Sequence, residues 1–163
     1  MGDFLGEKDN MRRLKLAYFI AAIAVILAGM AIYVFFRDNK NMLLFHFFPK
    51  LSFMGSLYFP IKANTIWSNM FLFNLPYGLW CLSGLLFIRA IWLSNTRWLT
   101  IYGFVYLVIV LSFVFLKIPG IIPGTFDVLD LIFLVSFAFL ESLIFYIFIR
   151  RKIVCWTEGN YHI

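Results

Sequence analysis

The sequence predicts an all-α membrane protein with four transmembrane helices and an interfacial aromatic loop between the first and the second. Hydrophobic residues make up 63% of the 163 residues and charged residues only 13%, with a mean hydropathy of +0.91. This composition excludes an ordinary soluble domain. A helix needs roughly 20 mostly apolar residues to cross the hydrocarbon layer. Four stretches of a single domain have that length: about 16–36, 71–93, 98–116 and 127–149.

Small side chains line one face of the first predicted helix. The alanines recur at spacings of four and three residues: Ala17, Ala21, Ala24, Ala28 and Ala31. Such a stripe lets another helix approach closely. The neighbour is either another helix of this chain or a membrane partner, which includes a second copy in a homo-oligomer.

The stretch of about 42–69 is too interrupted to cross the bilayer, because it contains Pro49, Pro60 and two lysines among its many aromatic residues. Aromatic side chains prefer the level of the lipid headgroups, and lysines there can bind phosphates. We therefore expect an interfacial loop. It is either a simple connector or a lid over the polar site described below, with Lys62 facing that site.

The basic residues predict the orientation of the chain. Nine of the 14 lysines and arginines fall on the side of the two termini and five on the other, with clusters next to the first and last helices. The positive-inside rule then places both termini in the cytoplasm. Because the bases are short flanks beside helices, they indicate membrane lipids as partners and no nucleic acid.

Two carboxylates stand at the head of the last helix, in a chain with only eight acidic residues. Asp127 and Asp130 are three residues apart, so a helix would present them on one face. Asn74, near the start of the second helix, is expected at the same membrane level. With Lys62 and Lys117, these residues form a candidate polar pocket on the outer face.

Two members of this pocket also have an ordinary structural interpretation, as helix-terminal residues. Thr125 can act as N-cap of the last helix, which leaves Asp127 in the first turn, where the helix dipole favours a carboxylate. Asn74 can likewise cap a helix that begins near Leu75, where Pro76 weakens the regular helix. Asp130 is less well explained in this way, because it lies at the edge of the apolar layer.

A second pair of ionisable residues lies within the predicted helices. Arg89 is near the inner end of the second helix, and Glu141 is three turns after Asp130 on the last. A charge in the apolar layer is costly unless it is paired or faces water. We predict an Arg89–Glu141 ion pair; the alternative is a proton relay from Asp130 to Glu141.

The sequence indicates no metal site, cofactor or disulfide. His46 and His162 are predicted on opposite sides of the membrane, and neither CxxC nor HExxH occurs. Cys81 lies within the second helix and Cys155 in the cytoplasmic tail, where thiols stay reduced.

Two segments resemble the VanZ-like family of small integral membrane proteins. They are the aspartate turn, Pro123-Gly-Thr-Phe-Asp-Val-Leu-Asp130, and the helix entry Asn69-Met-Phe-Leu-Phe-Asn-Leu-Pro-Tyr-Gly78. The resemblance covers roughly residues 64–145. It implies a similar run of helices, a bacterial inner membrane and a role in the cell envelope linked to glycopeptide-antibiotic tolerance. Residues 108–116 lack the Glu-x-x-Gln element that is common in the family.

Three functions are compatible with these features. The first is a binding or accessory role toward a lipid, a cell-wall precursor or a membrane partner through the outer pocket. The second is an enzyme that acts on a lipid-linked phosphate or glycan, with Asp127 and Asp130 as acid and base or as metal ligands. The third is a small transporter or channel subunit that uses Asp130 and Glu141.

Overall fold

The computed structural model describes residues 2–36, 65–121 and 127–150, and all regular structure in these ranges is helical. The main helices are α1 (Gly2–Phe36), α2 (Leu75–Trp92), α3 (Thr96–Phe115) and α4 (Val128–Ile144). Among the described residues, four segments are long and apolar enough to cross a membrane: Asp9–Phe36, Leu72–Trp92, Thr96–Phe115 and Val128–Ile147. The prediction of four membrane-spanning helices is confirmed at this level.

The approach to α2 is helical but irregular. One α-helical turn, Ile66–Asn69, leads into a π-helical turn, Met70–Asn74, and α2 follows directly. Thr65 caps the first turn, since its hydroxyl accepts from the Ser68 backbone N–H at 3.2 Å. The rest of the predicted aromatic loop, up to residue 64, lies outside the described residues. The π-helical turn directly before Pro76 agrees with the predicted weakening of the regular helix there, because Pro76 has no N–H to bond to the preceding turn.

The central helix is α2, which packs against α1, α3 and α4. Small residues allow this close packing. A Cβ atom at Gly29 of α1 would meet the Trp80 ring, and one at Gly84 of α2 would meet the Tyr106 ring of α3. At these two positions only a glycine leaves room for the neighbouring aromatic ring.

Hydrogen bonds between helices reinforce two of these contacts. The Ser83 hydroxyl of α2 donates to the carbonyl of Ala22 in α1 at 2.9 Å, and the Tyr106 hydroxyl of α3 donates to the carbonyl of Trp80 at 3.1 Å. In an apolar layer a helix carbonyl is an available acceptor for such hydroxyl groups. By contrast, α3 barely touches α4.

The alanine stripe of α1 is only partly covered by the rest of the chain. Ala17, Ala24 and Ala28 are exposed, whereas Ala21 and Ala31 are half-buried. The contact with α2 instead uses the buried Ala22 and Gly29, since these lie on the neighbouring face of the helix. The described part of the chain therefore covers the stripe only in part, and contact of the exposed alanines with a partner stays a prediction.

Candidate functional site

Polar side chains from three segments meet at the end of the bundle where α3 stops and α4 begins. They are Asn74 and Tyr77 from the start of α2, Lys117 from the turn after α3, and Asp127 and Asp130 from the start of α4. We call these five residues the aspartate network. It contains four of the five residues predicted for the outer pocket, and the fifth, Lys62, lies outside the described residues.

Asn74 joins the two aspartates. Its side-chain amide Nδ2 donates to Asp130 Oδ1 at 2.9 Å and to Asp127 Oδ2 at 3.1 Å. Asn74 is only 1% exposed, so it makes these two hydrogen bonds in the interior of the bundle. The alternative role as an N-cap is wrong, because Asn74 makes no side-chain cap bond. Its own backbone is already helical (φ −102°, ψ −37°), which leaves no free first turn to cap.

Lys117 binds the other oxygen of Asp130. Its Nζ donates to Asp130 Oδ2 at 3.1 Å and to the Tyr77 hydroxyl at 2.7 Å, and it lies 4.1 Å from the centroid of the Tyr77 ring. Burial alone would lower the pKa of Lys117. The hydrogen bonds to Tyr77 and Asp130 and the negative charge of Asp130 outweigh burial, and the pKa of Lys117 is raised above its ordinary value of 10.5.

Asp127 has two roles. It is the N-cap of α4, because its backbone is extended (φ −126°, ψ 128°) and its Oδ1 accepts from the Leu129 N–H at 2.9 Å. Its Oδ2 meanwhile accepts from Asn74. The prediction of Thr125 as N-cap is thus wrong: α4 starts at Val128, one residue after Asp127, while Thr125 itself lies outside the described residues.

The charges of the network do not balance. Asp130 is buried and both of its oxygens accept hydrogen bonds, one from an amide and one from an ammonium group. Lys117 offsets one carboxylate, so the network holds one more negative than positive charge. The surplus falls on Asp127, which is half-buried and therefore reaches the edge of the site.

This arrangement suits recognition better than metal chemistry. Within the described ranges no group of three or more His, Cys, Asp or Glu side chains is placed to hold a metal ion. The Asp130 oxygens already have donors, and a divalent ion would have to compete with Lys117 for one of them. In the part of the chain that the structure describes, no cation competes with a hydrogen-bond donor that approaches Asp127 from outside.

The Arg89–Glu141 pair lies at the opposite end of the same two helices. Arg89 Nη2 donates to Glu141 Oε2 at 2.8 Å, and Arg89 Nε bonds to Glu141 Oε1. The guanidinium carbon lies 3.6 Å from the centroid of the Phe145 ring. Along α4 the buried residues between Asp130 and Glu141 are Leu134 and Ala138, both apolar. This face of α4 supplies no intermediate group for the alternative proton relay.

Two contributing aromatic residues were not among the predicted site residues. Tyr77 follows Asn74 by three residues, a spacing that puts both side chains on one helix face, so this signal was present in the sequence. Phe145 follows Glu141 by four residues, a spacing that also puts both side chains on one helix face. Its contact with Arg89 depends on the packing of α2 on α4, which the sequence does not reveal.

The likeness of the chain to known proteins can be judged only from its own sequence. Comparisons with models of protein families, with curated proteins and with solved structures found no match. The likeness to the VanZ-like family is therefore carried by the quoted segments alone, and the function has to be argued from the site.

Proposed function

We propose that this chain is a VanZ-like binding or accessory protein of a bacterial inner membrane, with both termini in the cytoplasm. In this orientation the aspartate network faces outward and recognises a polar group on a lipid, a cell-wall precursor or a membrane partner. The observation that carries the proposal is the position of Asp127. It is a half-buried carboxylate at the edge of a network whose other charged groups bind each other.

A buried polar cluster in an apolar helix bundle is costly, and packing alone does not require one. Intramembrane ionisable residues mark functional sites by default. The network also holds its groups in fixed positions, since Asn74 and Asp130 are both almost fully buried and hydrogen-bonded. A preorganised site of this kind loses little entropy when a ligand binds.

The surplus negative charge specifies the chemistry of the ligand. A group with N–H donors and positive charge complements Asp127, whereas a phosphate would be repelled by it. A primary amine satisfies both conditions. The ethanolamine headgroup of a phospholipid, an amine of a cell-wall precursor peptide and a lysine of a membrane partner all carry this group.

The variant Asp127→Asn tests the proposal, because asparagine is as good an N-cap as aspartate but has no charge. The purified protein is titrated in detergent with phosphatidylethanolamine, with phosphatidylcholine, which has no N–H donor, and with a lipid-linked cell-wall precursor. The thermal midpoint is measured in each case. We expect a rise with at least one amine-bearing probe and none with phosphatidylcholine.

For Asp127→Asn we expect a slightly lower midpoint without ligand, because asparagine has one oxygen where Asp127 uses two, for Leu129 and Asn74. We also expect roughly 10- to 100-fold weaker binding of that probe, the value of a hydrogen bond to a charged group. Asp9→Asn is the matched control, since Asp9 is an exposed residue on α1. The proposal is wrong if Asp127→Asn binds every probe like the wild type. It is equally wrong if phosphatidylcholine binds as well as the amine-bearing probes.

A further inference from the structure

A cleft of about 630 Å³ lies between α2, α3 and α4, at the end of the bundle that holds the Arg89–Glu141 pair. We call it the α3–α4 cleft. Apart from the ion pair and four hydroxyl-bearing residues, its lining is apolar, with Leu85, Leu99 and Leu107 among the contributors. The cleft shares no lining residue with the aspartate network and is separate from the ligand site proposed there.

The cleft exists because α3 and α4 both pack on α2 but barely on each other. Gly103 of α3 lines it, and a Cβ atom at that position would meet nothing within 4 Å. Two other lining residues, Phe104 and Tyr146, are 68% and 59% exposed. The cleft is thus open at the outer surface of the helices, between residues that lie within the membrane-spanning segments.

The size of the cleft distinguishes between possible occupants. One turn of α-helix about 10 Å wide and about 5.4 Å long fills roughly 420 Å³. The cleft therefore has room for fewer than two turns, too little to seat a transmembrane helix of a partner. A flexible hydrocarbon chain can enter a lateral opening of this shape and bury its methylene groups against the leucines.

Two basic side chains lie at the same end of the bundle. Arg97 is exposed and directly follows Thr96, which lines the cleft. Lys15 of α1 donates from Nζ to the Ser94 hydroxyl at 3.1 Å, in the turn between α2 and α3. Arg89 adds no net charge, because Glu141 neutralises it.

We propose that the α3–α4 cleft is a binding site for one anionic phospholipid, with an acyl chain between α3 and α4 and the phosphate bound by Arg97. In the orientation proposed above, this lipid belongs to the inner leaflet. The site is independent of the aspartate network, which lies at the other end of the helices.

Gly103→Leu fills the cleft and tests the proposal. The variant is expected to fold, because leucine is a better helix former than glycine and the space is open. Native mass spectrometry counts phosphatidylglycerol molecules retained by the detergent-purified protein, and the thermal midpoint is measured with and without added phosphatidylglycerol. We expect one retained lipid and a raised midpoint for the wild type and for Gly103→Ala, and neither for Gly103→Leu.

Arg97→Gln tests the headgroup contact at an exposed position. We expect the preference for phosphatidylglycerol over phosphatidylcholine to fall about fivefold, the effect of one basic residue near an anionic lipid. Arg13→Gln removes the same charge from α1 and serves as control. Retention of phosphatidylglycerol by Gly103→Leu at the wild-type level overturns the proposal. So does a wild-type dimer that Gly103→Leu dissociates, because the occupant is then a second copy.

These outcomes are separate from those of the proposed function. Asp127→Asn should retain phosphatidylglycerol like the wild type, and Gly103→Leu should bind the amine-bearing probe like the wild type. Failure of one proposal therefore leaves the other standing.

Discussion

The helices α2 and α4 carry two buried charge sites, one near each end, and the two sites differ in their balance. The Arg89–Glu141 pair matches one cation with one anion, and the Phe145 ring covers the guanidinium. The aspartate network matches one ammonium group with two carboxylates, and Asp127 reaches its edge. A balanced pair has no surplus charge to offer a ligand, whereas an unbalanced network keeps one available.

The difference also separates packing from function. Both sites join α2 to α4, and both satisfy their charges with hydrogen bonds, as an apolar layer requires. Only the network includes a third segment, the turn that holds Lys117. This extra cation allows two carboxylates to lie close together without strong repulsion, and it is a reason to propose the network, rather than the ion pair, as the functional site.

Breaking the balanced pair should have the largest effect on stability. Glu141→Gln leaves Arg89 buried without a counter-charge, and we expect a loss of about 3–5 kcal/mol in the free energy of unfolding. Adding Arg89→Gln should recover much of this loss, because two amides can bond to each other without charge. Unfolding in detergent by denaturant titration measures both variants. Strictly additive losses in the double variant would contradict a coupled pair.

Breaking the ion pair within the network should cost less. Asp130→Asn leaves Lys117 without its carboxylate, and we expect a loss of about 1.5–3 kcal/mol. Lys117 keeps a second hydrogen-bond partner, the Tyr77 hydroxyl at 2.7 Å, whereas Glu141 accepts both of the hydrogen bonds that Arg89 donates in its ion pair. Lys117→Met in the Asp130→Asn background should restore part of the stability. A loss of stability as large as that of Glu141→Gln would contradict this ranking of the two sites.

The smallest expected effect is a dependence on pH. Because the folded-state pKa of Lys117 is raised above 10.5, its stabilising contribution is complete below that value and is lost as the pH rises through the raised pKa. The stability difference between the wild type and Lys117→Met should therefore narrow over this range. Thermal midpoints of both proteins across the alkaline range measure it. A constant difference would mean that Lys117 does not exchange its proton there.

The sequence was sufficient to predict the four apolar helices and the grouping of Asn74 with the two aspartates. Composition and length determine the first, and helix spacing with a common membrane level determines the second. The start of α4 was mispredicted because Thr125 and Asp127 are both good N-caps, and the choice depends on the backbone of the turn. The α3–α4 cleft was not predictable, since it depends on which helices share an interface.

The central position of α2 has a consequence for how the protein is assembled. The backbones of α3 and α4 approach each other at few points, whereas both helices pack on α2, where Gly84 leaves room for the Tyr106 ring of α3. During synthesis α2 precedes both of them in the chain, so its surface is already available when they are inserted into the bilayer. We expect the helices to pack in the order in which they are inserted. A bulkier residue in place of Gly84 should lower the yield of folded protein.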